Sequence, residues 1–163
     1  QQGKEYHFDL NGDQFLEILT TQKRDGVDWF MIKNSSRVKI FETKIFTMGV
    51  DSRLVKIKFV NISSNTKALI LFYDEGLLSG VKKEATSKIV ILSYENNHLG
   101  KITRADGPVF FHEKESFRDI YWRRSFNVNV YDIDNDGQRE VVTQFNKIQK
   151  VMKYFSPGKW LMF

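Results

Sequence analysis

Two distant stretches of this chain share one unusual spacing of side chains. FDLNGDQFLEIL (8–19) and YDIDNDGQREVV (131–142) both run aromatic, Asp, apolar, Asx, with a glutamate eight positions after the first aspartate. Asp9 falls on Asp132, Asn11 on Asp134, Asp13 on Asp136 and Glu17 on Glu140. A third copy, FVNISSNTKALIL (59–71), keeps only polar stand-ins, Asn61, Ser63 and Asn65, with Leu69 in the place of the last acid. The copies begin 52 and 71 residues apart. Such a period constrains the fold strongly, because each copy must be a supersecondary unit that buries its face against a neighbour.

The segments C-terminal to the copies repeat as well: DWFMIKNSSRVKIFE, SKIVILSYENNHLGKIT and KVMKYFSPGKWLMF. The period is two, the signature of strands, in VKIKFVN (55–61), KALILFY (67–73), KIVILSY (88–94), NVNVYDI (127–133) and EVVTQF (140–145). Each unit therefore reads strand, polar loop, strand and a tight hairpin, one four-stranded antiparallel sheet like the blade of a β-propeller. The expected fold is all-β, a single domain over 1–163 with three blade-like repeats at about 5–45, 53–105 and 126–163. It is expected to form a β-propeller or part of one. Residues 106–125 and 76–86 are the expected insertions; GLLSGVKKEATSK (76–88) reads as a loop, and HEKESFRDIYWRR (112–124) is the nearest approach to a helix.

The 163 residues are 41% hydrophobic and 14% aromatic, enough for an ordered core. No run approaches the roughly 18 apolar residues that a membrane span requires. The start, QQGKEYHFDL, lacks the basic and apolar regions of a signal peptide, so any leader is expected to have been removed or never to have existed. Cysteine is absent, which excludes disulfides, thiolate metal sites and cysteine catalysis. The net charge of +5 could serve nucleic acid or another anionic polymer, but the lysines are scattered through strands such as RVKIFETK and RLVKIKF. Alternating charge on a solvated sheet face explains them better, so nucleic acid is disfavoured as a partner.

The C-terminal loop sets carboxylates at alternating positions, the arrangement by which a curling loop offers oxygens to calcium. Asp132, Asp134 and Asp136 are its positions 1, 3 and 5, Gln138 offers a backbone carbonyl at 7, and Glu140 stands at 9. Gly137 permits the left-handed backbone of a sharp turn. An EF-hand needs a glutamate at position 12 and flanking helices; Thr143 and two strands stand there instead. The D-x-D-x-D-G-x-x-E loop between strands resembles the FG-GAP/VCBS type of calcium-binding β-propeller repeat, found in integrin alpha subunits and many bacterial surface proteins. The resemblance implies calcium on Asp132, Asp134, Asp136 and Glu140, and on Asp9, Asn11, Asp13 and Glu17 in the first unit. That first loop departs from the pattern, with Gln14 where the glycine belongs and Gly12 two places early, so weaker binding is expected there. The middle unit is expected to keep the turn without the ion.

The remaining motifs carry little chemistry. His7, His98 and His112 never fall at metal-ligand spacing, and no nucleophile-elbow, P-loop or dinucleotide-binding motif occurs, so no catalytic residue is assigned. YWRRS (121–125) and KVMKYFSPGKW (150–160) interleave aromatics with cations, but Trp29, Trp122 and Trp160 sit at unlike places in the units, which favours packing. The expected function is an extracytoplasmic calcium-binding module for binding or scaffolding a protein or glycan, since loops of modest charge suit millimolar calcium. One alternative is an enzyme acting on polysaccharide, or its accessory domain, which would need paired carboxylates in a pocket near Glu113 or Asp119. The other is a basic binder of nucleic acid or anionic polymer. Apolar strand residues on terminal blades would allow association into oligomers.

Overall fold

The structure, a computed structural model, describes residues 3–45, 53–79, 82–115, 126–145 and 147–163. Three four-stranded antiparallel sheets account for nearly all of them. The first holds β1 (Tyr6–Phe8), β2 (Glu17–Arg24), β3 (Val27–Lys33) and β4 (Lys39–Ile45) in chain order. The second holds β5 (Arg53–Asn61), β6 (Thr66–Ser79), β7 (Lys82–Glu95) and β8 (Thr103–Glu115), and the third β9 (Phe126–Tyr131), β10 (Glu140–Phe145), β11 (Ile148–Ser156) and β12 (Lys159–Met162). Among the described residues the only helix is one 3-10 turn at Leu99–Lys101, and the sheets close into neither a barrel nor a ring.

Side-chain alternation explains how the sheets stack. In β6, Leu69, Leu71 and Tyr73 point one way and Ala68 and Ile70 the other; in β7, Val90, Leu92 and Tyr94 oppose Ile89 and Ile91. The first set forms a core with Leu19, Phe30, Ile32 and Ile45 of the first sheet. The second set packs on Val141, Met152 and Tyr154 of the third. The middle sheet is thus buried on both faces, which is why ALILF and IVIL read as unbroken apolar runs. Each fully buried Leu or Ile in these clusters contributes about 1.5–3 kcal/mol.

Two expectations change. Residues 76–79 and 82–88, part of a segment expected as a loop, continue the β6–β7 ladder without a break from Thr66↔Glu95 to Ser79↔Lys82. Pairing supplies the backbone partners that local sequence does not advertise, so cross-strand context overrides propensity there. Residues 106–115 likewise extend β8 along β7, and the helical reading of 112–124 fails over 112–115, which are strand. The rest of that segment, including Asp119, Trp122 and most of YWRRS, lies outside the described residues.

Candidate metal centre

In each sheet the loop between the first two strands carries the repeat. Phe8 faces Glu17 across β1–β2, and Tyr131 faces Glu140 across β9–β10, so the two acidic loops have the same length. In the middle sheet Val60 faces Ala68, one residue closer, and Leu69 faces Phe59. Leu69 is therefore a core strand residue and does not occupy the position of the last acid. The middle loop closes instead through the Ile62 and Ser63 amides, both donating to the Thr66 carbonyl at 2.8 and 3.1 Å.

The two acidic loops share most of their hydrogen bonds and differ in one, the first amide bonded by the leading aspartate. Asp132 accepts from the amides of Asp136 and Gly137 at 3.2 and 2.8 Å; Asp9 accepts from Gly12 and Gln14 at 2.8 and 3.0 Å. Asp136 Oδ1 accepts from the Gln138 amide and Asp13 Oδ1 from that of Phe15, both at 2.8 Å. Glu140 accepts from the Ile133 amide at 2.9 Å, and Glu17 from that of Leu10 at 2.7 Å. Both loops also pass twice through the left-handed region, at Gly12 (φ 77°) and Gln14 (φ 71°) in the first, and at Asn135 (φ 58°) and Gly137 (φ 86°) in the last. Gln14 therefore keeps the turn that the glycine was expected to require, at the strain cost of a side chain in that region.

The four acids of the C-terminal loop converge. One ligand oxygen from each of Asp132, Asp134, Asp136 and Glu140 lies within 4.8 Å of the others, so the cluster could hold a metal ion. Asp132 is half-buried and Asp134 and Asp136 are exposed, whereas Glu140 is only 2% exposed and its Oε1 has no hydrogen-bond partner. A buried carboxylate oxygen without a donor is costly and calls for a cation. Gln138 spends its side-chain amide on the Tyr154 carbonyl at 2.7 Å. The first loop does not gather three carboxylates in this way among the described residues. There the Asn11 amide donates to Asp13 Oδ2 at 3.1 Å, and burial, against the Leu10 amide bond, pushes the Glu17 carboxyl up.

Sequence reasoning missed Lys153. Its ammonium donates to Asp134 Oδ2 at 2.5 Å and Asp136 Oδ2 at 2.6 Å, and lies 3.5 Å from Glu140 Oε1. The Asp134 and Asp136 bonds raise the lysine above its ordinary range, and the Lys153 bond holds Asp136 below the usual carboxylate range. The signal was present but hidden in register: Val141 faces Met152, so Lys153 comes next on β11 beside Glu140.

The loops also join the sheets. The Tyr94 hydroxyl of β7 donates to the Leu10 carbonyl at 2.6 Å, and the Arg139 amide donates to the Ile62 carbonyl at 2.7 Å. Each loop of the first two sheets thus docks on the sheet after it. A cleft of about 350 Å³ beside this junction is lined by Tyr94, Glu95, His98, Lys101 and Tyr154 among others. It holds one carboxylate, Glu95, which is bonded by the Tyr154 hydroxyl, so it offers no carboxylate pair. Glu113 lies in β8. No protein-family model, curated protein or solved structure matches this chain.

Proposed function

We propose that this chain is a calcium-binding module built from β-propeller-type blades, working outside the cytoplasm to bind or scaffold a protein or glycan. The observation that carries the reading is the converging set of Asp132, Asp134, Asp136 and the buried, under-bonded Glu140. Oxygen donors alone, at alternating loop positions and partly solvent-exposed, suit a hard cation with a flexible shell, which favours calcium over zinc or copper. Three antiparallel sheets, the first and third opening on an acidic loop, supply a rigid frame for the ligand set. The first loop, with neutral Asn11, takes the ion more weakly. The role proposed is a non-catalytic one.

Thermal unfolding tests it. Calcium binding to the folded state raises Tm by mass action, by about 2.7 kcal/mol of added stability at a hundredfold excess over Kd. Asp134→Ala is expected to remove most of that gain. Identical melting curves in calcium and in EDTA would reduce the loop to an acidic turn.

A further inference from the structure

The cation already within bonding distance of the acidic loop is a side chain of the same protein. Lys153 Nζ donates to Asp134 Oδ2 and Asp136 Oδ2, carboxylate oxygens that calcium would take as ligands, so ammonium and ion compete for the same oxygens. Glu140 is where the fit is incomplete: its Oε1 is 3.5 Å from the ammonium, buried, and without a hydrogen bond. A lysine delivers one charge through three directed donors, and a divalent ion can collect all four acids at once.

The lysine does not belong to the repeat. Corresponding positions along the third strands are Asn34, after Lys33 opposite Ile18, and Ser93, after Leu92 opposite Leu69. Asn34 turns its Oδ1 to the amides of Ser36 and Val38, and Ser93 bonds Thr103. Sheets of this kind therefore form without a lysine there. Its four-carbon stem is flexible and its side chain 25% exposed, so it can leave the site without unpacking the core.

We propose that Lys153 is a tethered counter-ion that closes the C-terminal loop at low calcium and is displaced when the divalent ion enters. This rests on the reading that the loop takes a divalent cation. The lysine sets the threshold: by competing for Asp134 and Asp136 it keeps the loop empty of metal until calcium is abundant, and it neutralises part of the charge of three of the four acids when calcium is scarce. Displacement frees an ammonium beside a loaded loop, so the outward charge of this edge changes with calcium.

The experiment is calcium titration of the full chain by calorimetry, comparing the natural sequence with Lys153→Met and Lys153→Gln. Each carries Asp13→Ala, so that the N-terminal loop contributes no heat. Removing the competitor is expected to tighten calcium binding by about tenfold or more, the effect of one close charge at a partly exposed site. In the natural sequence, labelling of Lys153 by an amine-reactive ester, read by mass spectrometry, should rise when calcium is added while other lysines stay constant; this reading stands even if the variants fold poorly. Binding by the variants alone would mean that calcium never displaces the lysine in the natural protein, which would overturn the latch as a calcium-responsive device. Equal affinities with unchanged labelling would overturn the latch and leave the calcium loop standing. No binding in any form would overturn both.

Discussion

At the scale of single residues, the acidic loops depend on backbone conformations that most side chains resist. A Cβ built on Gly137 meets no atom within 4 Å, yet its φ is 86°. Gly137→Ala is therefore expected to cost about 1–2 kcal/mol through the left-handed backbone alone, with no steric term. Gln14, at φ 71°, stands at the matching position, so Gln14→Gly is expected to stabilise by up to about 1 kcal/mol after the entropy of glycine in the unfolded chain is subtracted. Chemical denaturation checks both, and a gain of stability in Gly137→Ala would refute backbone strain at this turn. The ligand spacing was legible in the sequence because it is local: acids at alternating positions before a glycine need only one loop to meet. The assignment of turn glycines was not, because each loop has two left-handed positions and fills a different one with glycine. Lys153 was hidden for a deeper reason, since its neighbours are fixed by the register of β10 on β11 and not by anything within its own segment.

At the scale of elements, pairing decided what local pattern could not. The β7–β8 ladder shifts between Lys88↔Val109 and Val90↔Asp106, leaving Ile89 opposite Gly107 and Pro108. Proline cannot donate to a ladder and is tolerated at such a bulge. Gly107 serves the same irregularity by its size: a Cβ there would lie 2.2 Å from Ile89 Cγ1, a side chain with no exposed surface. Gly107→Ala should accordingly destabilise by about 1–3 kcal/mol through overpacking, read as a lower denaturation midpoint at unchanged m-value. An unchanged midpoint would mean that Ile89 has room to turn. From sequence, ADGP at 105–108 looked like the end of a strand and the start of an insertion, because glycine and proline punctuate most turns. A second contrast concerns the loops that join the sheets. Leu10 and Ile62 are 0% and 1% exposed, whereas their counterpart Ile133 is 42% exposed. Leu10→Ala and Ile62→Ala should each cost about 2–5 kcal/mol, and Ile133→Ala well under about 1 kcal/mol, in the same unfolding experiment.

At the scale of the whole molecule, the question is what the outer face of the third sheet meets. All-β character and the three-fold repetition were readable, because period-two alternation and a recurring loop are properties of the chain itself. The stacking was half readable: unbroken apolar runs at 68–72 and 89–92 mark a sheet covered on both sides, but which sheets cover it depends on contacts between distant segments. Register extends this to the ends of the stack. In the first sheet, Tyr6, Phe8, Leu19, Phe30 and Ile32 lie at the interface with the second. The pairings place Asn129, Tyr131, Val142, Gln149 and Val151 at the corresponding positions of the third sheet. Two aromatic positions have become amides, Asn129 for Tyr6 and Gln149 for Phe30, and both amides are exposed. Repeat proteins finish their stacks in this way, with a polar outer surface on the terminal unit. The chain is therefore expected to be a monomer near its 19.2 kDa in light scattering, with or without calcium. Restoring the interface residues by Asn129→Tyr with Gln149→Phe should then drive self-association, because Tyr131, Ile133 and Val151 complete an apolar patch around them. A natural chain found at about 38 kDa, twice the monomer mass, would show that this face is already an interface and that the two amides do not cap it.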